Sequence, residues 1–233
     1  MNGLKDMAVI GRRQTSADIV FDRLYESIIS LELLPGSKLS EVEVAEQFGI
    51  SRQPVRDAFS RLGSMDLLLI QPQRATQVRR FSIERIEAAR FARRALELEI
   101  VREAAGAWDG GWERAFEESL AAQEGAVARE DRAAFHELDR GFHETIAALA
   151  RARHAFDLLM EKKAQVDRLC VLSLKRAESM AELVEDHRAI YGAIAARDAA
   201  AAQAALRLHL SRIGSTINAI RRSHPDYFEA EPR

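Results

Sequence analysis

Several residue types that define whole protein classes are scarce in this chain of 233 residues. Its one cysteine, Cys170, cannot form a disulfide within the chain, and nothing near it resembles the cysteine clusters of a zinc ribbon. No run approaches the ~20 apolar residues that span a bilayer, and the N-terminus lacks the apolar core of a secretory signal. We therefore expect a soluble, cytoplasmic protein with no membrane partner.

A large excess of either sign of charge is also absent, since the formal net charge is only -2. This balance argues against non-specific binding of polyanions by the whole chain. It conceals an asymmetry, because residues 52–80 contain six arginines against two aspartates, whereas residues 81–233 contain 23 basic and 26 acidic residues. The excess of positive charge is therefore confined to one short segment.

Residues 16–80 consist of short elements with clear boundaries. Ser16 is predicted to cap a first helix, which the Pro and Gly of LPGSKLS end. Ser40 and Ser51 are predicted to cap two further helices, the first of which ends at Gly49. The runs LLLIQ and TQVRRF predict two short strands around the loop PQRA. This order of elements predicts a winged helix-turn-helix.

The third helix carries the residues expected of a helix that reads DNA. Its first two turns contain Ser51, Arg52, Gln53 and Arg56. The two arginines are four residues apart, so they share a face from which each can fork onto guanine or phosphate. Isolated arginines are often only solvated surface, but the capped helix-turn-helix and the wing arginine Arg74 favour a DNA contact. Lys38 is a further candidate for a phosphate contact.

Residues 82–222 show helical periodicity and hardly any strand signal. Helices are predicted at about 82–107, 113–129, 131–150, 152–177, 179–196 and 199–222. Their short connections predict an antiparallel bundle. The predicted fold class is therefore mainly α, with an N-terminal winged helix-turn-helix and a C-terminal all-helical bundle.

Four residues of the bundle are spaced so that they can meet. Asp139 and His143 are four apart and share a helix face, while His187 and His209 lie eleven residues on either side of Asp198, the expected N-cap of the last helix. In an antiparallel hairpin both histidines then sit about 16 Å from the turn. Three imidazoles and a carboxylate suit Zn²⁺, Ni²⁺, Mn²⁺ or Co²⁺. Spacing alone leaves open that they are ordinary core residues.

Longer motifs resemble a known family. The stretch LPGSKLSEVEVAEQFGISRQPVRDAFSRL resembles the DNA-binding domain of the GntR family of bacterial transcription regulators. The stretches RRALELEIVREAA, LDRGFHETIA, EDHRAIYGAI and RLHL resemble the all-helical FCD-type effector domain of its FadR subfamily. The resemblance covers about residues 16–220. We therefore predict a DNA-binding domain over 16–80 and an effector-binding and dimerisation domain over 81–222, with a flexible arm over 1–15 and a loose tail over 223–233.

The resemblance also implies partners and site residues. It implies a homodimer that binds a palindromic operator, usually as a repressor, and responds to a small carboxylic acid. The metal-binding branch of the subfamily holds a metal through one Asp and three His, which correspond to Asp139, His143, His187 and His209, with Zn²⁺ favoured. Arg93, in the family-like RRALE, is the first candidate for a counter-charge to the acid, and Arg168 is the second. Residues 78–84 would form the hinge between the domains.

Some features depart from the family pattern or leave alternatives open. Val42 replaces a basic residue common in the second helix, and Ala75 replaces the usual glycine of the wing tip, which puts wing contacts in doubt. A hydrolase that uses the metal to activate water is one alternative, disfavoured because no general base is evident. Others are a DNA-binding regulator whose metal is structural or is itself the signal, and an adaptor that does not bind DNA.

Overall fold

The computed structural model describes residues 14–159, 168–169 and 177–230. Its helices confirm the mainly α fold class, with a small sheet confined to the N-terminal part of the chain. Two large apolar cores, one in each predicted domain, are joined by a smaller cluster around Phe81. Within the described ranges, no helix is both long enough and apolar enough to span a bilayer.

Three helices form the N-terminal domain: α1 (Ser16–Ile29), α2 (Glu41–Phe48) and α3 (Arg52–Ser64). The prediction that Ser16 caps α1 is wrong by one residue, because Thr15 forms a reciprocal capping box with Asp18. Ser40 caps α2 as predicted, and Gly49 ends it in the left-handed conformation that glycine adopts most easily. The buried side of α3 consists of Val55, Ala58, Phe59 and Leu62.

The wing is a three-stranded sheet rather than the predicted pair of strands. Its strands are β1 (Lys38–Leu39), β2 (Leu68–Leu69) and β3 (Thr76–Val78), in the antiparallel order β1-β3-β2. The two residues of β1 are too few to show a period in the sequence. The residue with positive φ in the wing turn is Gln73 (59°). Ala75 therefore does not have to adopt the positive φ that favours glycine.

The bundle contains five helices whose limits lie within the described ranges: α4 (Ile83–Ala107), α5 (Glu113–Ala128), α6 (Arg132–Leu149), α7 (Ala177–Ala195) and α8 (Ala199–Ser223). Residues 153–159 and 168–169 are also helical, and the rest of the helix predicted over 152–177 lies outside the described residues. The side chain of Asp198 accepts a hydrogen bond from the Ala201 amide and caps α8 as expected. α8 packs against both α7 and α4.

The segment after α8 is bound to the junction between the domains, whereas the sequence predicts a loose tail over 223–233. The Phe81 amide donates to the Tyr227 carbonyl, and the Glu229 amide donates to the Phe81 carbonyl, each at 2.8 Å. Phe228 is buried with its ring centroid 5.3 Å from that of Phe81. One large apolar side chain thus anchors residues 224–230 in a segment that otherwise reads as polar.

Candidate metal centre and nucleic-acid interface

Three helices bring the four predicted ligands together. Asp139 and His143 project from one face of α6, His187 from α7 and His209 from α8. One ligand atom from each residue lies within 4.8 Å of the corresponding atom of every other. All three imidazoles are buried, and Asp139 is partly buried. The symmetry about Asp198 therefore brings His187 and His209 to one height in the hairpin, opposite α6.

A hydrogen-bond partner fixes the ring of His187. Its Nδ1–H donates to Gln123 Oε1 at 2.7 Å, and the Gln123 amide nitrogen donates in turn to Ser119 Oγ. The proton on Nδ1 leaves Nε2 with a lone pair. This buried Nε2 has no hydrogen-bond partner within the described part of the chain, and Asp139 Oδ1 lies 3.5 Å away.

The other two imidazoles turn their Nδ1 atoms towards carboxylates. His143 Nδ1 lies 2.7 Å from Glu97 Oε2, and His209 Nδ1 faces Asp186 Oδ2 at 3.7 Å. Both rings therefore turn Nε2 inward, and the two Nε2 atoms are 3.1 Å apart. An outer acceptor that fixes the tautomer and raises the basicity of the inner nitrogen is the usual environment of a metal-bound histidine.

Arginines compensate the two buried carboxylates. Arg93 Nε donates to Glu97 Oε1 at 2.5 Å, and Arg212 donates to both oxygens of Asp186. Burial opposes ionisation of Glu97, but Arg93 and His143 outweigh it and hold the pKa of this carboxyl below its ordinary value. Burial likewise opposes ionisation of Asp186, but the neighbouring His209 ring and the Arg212 guanidinium outweigh it and bring its pKa to about 2. Both outer carboxylates are therefore charged.

The inner face of the cluster fits a divalent cation. Burial lowers the pKa of His187 and of His209, which favours the neutral form of both rings. The Nε2 atoms of His143 and His209 lie 3.1 Å apart, so they can share one proton in a hydrogen bond or bind one cation together. Two nitrogens bound to one metal at about 2.1 Å are separated by about 3.0–3.4 Å, which matches this spacing.

The two arginines predicted to meet an acid lie in different places. Arg93 Nη2 is 3.4 Å from His143 Nε2, so its guanidinium reaches the cluster. The prediction for Arg168 is wrong in position, because this buried side chain lies at the junction between the domains. Its guanidinium stacks 4.6 Å from the centre of the Phe81 ring and donates to the Arg79 carbonyl. Burial lowers the pKa of Arg168 to about 10.

The predicted DNA-reading arginines project together from the start of α3. Arg52 and Arg56 approach the same oxygen of Glu41 on α2, at 3.3 and 3.1 Å. Hydrogen bonding from Arg56 outweighs burial and lowers the pKa of Glu41. On the other side of α3, Arg61 binds Asp18 at 2.8 Å and lies over the ring of Phe21, which joins α3 to α1.

The remaining predicted DNA contacts are exposed on the same domain. Ser51 occupies the N-cap position of α3 but makes no capping hydrogen bond with its side chain. Gln53 donates to Asp57 at 2.8 Å, and Arg74 donates to Gln71 at 3.3 Å in the wing turn. Lys38 is exposed on β1. The bonded pairs are local to α3 and to the wing, so they pre-position their side chains without burying them.

Sequence reasoning missed the residues that orient the predicted ones. These residues are Glu41, Glu97, Gln123 and Asp186. Glu97 lies four residues after Arg93, and Asp186 directly precedes His187, so a search for acids near the predicted residues could have found both. Gln123 carries no such signal, because it is a neutral side chain on a helix 64 residues away from His187.

Comparisons with known proteins agree with this architecture. The model of the bacterial regulatory proteins, gntR family, matches residues 16–78, and the model of the FCD domain matches residues 89–212. The chain is 32% identical over 212 residues to the HTH-type transcriptional repressor RspR of Escherichia coli K12, covering 91% of this chain and 93% of that one. It is 27% identical over 208 residues to the HTH-type transcriptional regulator LutR of Bacillus subtilis 168, covering 80% and 94%.

Solved structures show the same fold. McbR/YncC of E. coli superposes with a TM-score of 0.74 at 20% identity, covering 91% of this chain and all of that one. A regulator from Rhodococcus sp. RHA1 described as GntR superposes with a TM-score of 0.73 at 25% identity, covering 88% and 99%. The arrangement of a winged helix-turn-helix before a helical bundle is thus shared with crystallised proteins.

Proposed function

The chain belongs to the gntR family of bacterial regulatory proteins, and we propose that it responds to a small carboxylic acid bound beside a divalent metal. Family membership makes it a DNA-binding transcription regulator rather than the hydrolase considered as an alternative. One observation supports the metal above all others: three buried imidazoles turn ring nitrogens towards one another and towards a carboxylate.

Asp139, His143, His187 and His209 would hold the ion. Three imidazole nitrogens and one carboxylate oxygen favour Zn²⁺, and Ni²⁺, Mn²⁺ or Co²⁺ would also be accepted. When bound, the metal supplies a net positive charge and open coordination positions for an anion. Glu97, Gln123 and Asp186 keep the three rings in the orientation that this binding requires.

The charges around the cluster favour an anionic effector. Glu97 is matched by Arg93, and Asp186 is matched by Arg212, so the outer groups add no net negative charge. A divalent ion with Asp139 as its one charged ligand keeps a charge of +1. Arg93 Nη2 lies only 3.4 Å from a ligand nitrogen, where it would be repelled by the ion. A carboxylate between them relieves that repulsion and bonds to both.

The N-terminal domain would bind the operator. We assign base or phosphate contacts to four residues of α3 and its cap, Ser51, Arg52, Gln53 and Arg56, and backbone contacts to Arg74 in the wing and Lys38 on β1. Arg52 and Arg56 would leave Glu41 for guanine or phosphate as α3 enters the major groove. A homodimer would present two such helices to a palindromic site, with repression as its usual mode.

The segment 224–230 supports a physical route from the metal centre to the DNA. It continues α8, the helix that carries His209, and its backbone bonds to Phe81 directly beyond the wing. Arg80 Nε also donates to the Asp226 carbonyl at 2.9 Å, and its guanidinium packs against Gly36 of the N-terminal domain. A shift of α8 would therefore reach the 78–84 hinge and alter the spacing of the two recognition helices.

Fluorescence anisotropy with labelled operator tests this proposal. Operator affinity is measured for metal-free and zinc-loaded protein, with and without a panel of small carboxylic acids. We expect the acids to change operator affinity only when zinc is bound, and His187→Ala to abolish that response. His154→Ala is the matched control, since this histidine is fully exposed.

Three outcomes would count against parts of the proposal. An unchanged acid response in His187→Ala would remove the metal from effector binding. A change in operator affinity on zinc addition, with no further effect of any acid, would make the metal itself the signal. Binding that neither zinc nor acids alter would leave the metal a structural role only.

A further inference from the structure

A groove of about 450 Å³ lies between α4 and α8, beside the metal centre. This volume is within the range of small-molecule sites in proteins. Its polar lining consists mainly of arginines: Arg90, Arg93 and Arg94 come from α4, and Arg207 comes from α8 with Ser211 one turn later. Glu87 is the one acid among the lining residues.

The groove carries an excess of positive charge. Glu87 forms an ion pair with Arg90 at 2.8 Å, and Arg93 forms an ion pair with Glu97. Within the part of the chain that the structure describes, neither Arg94 nor Arg207 forms an ion pair with a carboxylate. Two guanidinium groups therefore face the same space, uncompensated and exposed to solvent. Such groups attract carboxylates and phosphates and bind them in a fork.

One side chain joins the groove to the metal centre. Arg93 lines the groove, and its Nη2 lies 3.4 Å from His143 Nε2. Arg207 lines the groove from α8, the helix that also carries the ligand His209. A molecule with one acidic group at the metal and Arg93 would thus have a second cationic site a short distance away.

We propose that the groove binds an anionic group, and that the effector is therefore an acid with at least two anionic groups. The first group would sit at the metal, as in the proposed function on which this inference partly rests. The second, a carboxylate or a phosphate, would bind Arg94 and Arg207. A monocarboxylic acid would leave both arginines without a partner and would bind less tightly.

The groove can be tested without the metal or the effector. The full-length protein is dialysed against a chelator and titrated with inorganic phosphate at low ionic strength, because exposed charge pairs are screened by salt. We expect saturable binding by calorimetry, weakened about tenfold or more in Arg94→Gln/Arg207→Gln. Arg114→Gln/Arg153→Gln removes the same charge from exposed positions elsewhere and should bind like the wild type. Equal weakening in both double variants, or no saturation, would refute the groove site.

A second titration tests the class of effector. Zinc-loaded protein is titrated with butyrate and with succinate, which have the same number of carbon atoms and differ in one carboxylate. We expect succinate to bind about tenfold more tightly, and the difference to vanish in Arg94→Gln/Arg207→Gln. An equal affinity for both acids, unaffected by these substitutions, would overturn the inference and leave the proposed function standing. Saturation by phosphate without binding of either acid would count against the proposed function and leave the anion site in the groove standing.

Discussion

Two regions of the molecule hold their charged side chains in opposite ways. In the bundle, Arg93 and Glu97 keep only 11% and 5% of their side-chain surface exposed. On the recognition helix, Arg52 and Arg56 keep 58% and 56% exposed although both contact Glu41. Buried pairs are costly to separate, whereas exposed pairs exchange partners easily. The bundle is therefore expected to keep one arrangement, whereas Arg52 and Arg56 of α3 are free to exchange Glu41 for another anion, which in the proposed function is DNA.

Residues 224–230 connect these two regions. They continue from the helix of His209 and bond to the backbone of Phe81, between the wing and α4. Glu229 adds ion pairs with Arg85 and, at 3.9 Å, with Arg79. A change in the rigid region can thus reach the adaptable one through a short, well-defined segment.

The largest expected effect comes from breaking a buried pair. Glu97→Gln removes the carboxylate that serves both Arg93 and His143, and should lower the free energy of unfolding by about 3–5 kcal/mol. Urea denaturation of the metal-free protein measures this loss. Glu99→Gln is the control on the same helix, since Glu99 forms an exposed pair with Arg102 and should change nothing measurable. Similar losses in both variants would contradict the contrast between buried and exposed pairs.

Phe228→Ala should detach the connection between the regions. Removal of this buried ring is expected to lower the free energy of unfolding by about 3 kcal/mol. It should also shrink the change in operator affinity that an acid causes in zinc-loaded protein, measured by anisotropy at a temperature where the variant is folded. Glu229→Gln removes only the partly exposed ion pairs with Arg79 and Arg85 and should keep most of that change. A zinc-loaded variant that is destabilised yet responds to the acid like the wild type would exclude this route.

Gln123→Leu tests whether a hydrogen bond orients His187 in the bundle. The substitution removes the acceptor of His187 Nδ1–H, so the ring loses its fixed tautomer and orientation. We expect zinc affinity to fall about 10- to 100-fold in competition with a chelator of known affinity. Gln203→Leu is the control, because Gln203 bonds to the Leu98 carbonyl and not to a histidine. An unchanged zinc affinity would mean that packing alone orients His187.

Features set by regular helix geometry could be predicted from the sequence. The capped helices, the bundle and the juxtaposition of His187 with His209 follow from periodicity and from equal distances to Asp198, because antiparallel helices have a constant rise. The partners of the histidines do not follow from such rules. Glu97 and Gln123 come from helices far away in sequence, and only packing decides which side chains meet.

Two misplaced predictions have the same cause. Arg168 is an arginine of the helical domain, which makes it a candidate for binding an acid. The packing of the chain instead places its side chain against Phe81 at the domain junction. Phe228 stands alone in a polar segment, so no apolar period reveals that it is buried. Single residues that make long-range contacts leave no pattern in the sequence.

The smallest expected effect concerns the exposed arginines of the recognition helix. Arg56→Ala should weaken operator binding about tenfold, because one forked contact to guanine or phosphate is lost. Arg61→Ala is the matched control on the same helix. Arg61 binds Asp18 and lies over Phe21, so it faces α1 rather than the DNA major groove. Anisotropy with operator and with unrelated DNA, at several salt concentrations, measures both affinity and the type of contact.

The salt dependence then shows what Arg56 touches. If it contacts phosphate, Arg56→Ala should weaken both DNAs alike and reduce the salt slope by about one. If it reads guanine, the loss should be confined to the operator. Glu41→Gln sharpens the result, because it removes the carboxylate shared by Arg52 and Arg56, and operator affinity should then change far less than in Arg56→Ala. A loss in Glu41→Gln as large as in Arg56→Ala would mean that the arginines depend on Glu41 for their position and do not simply exchange it for DNA.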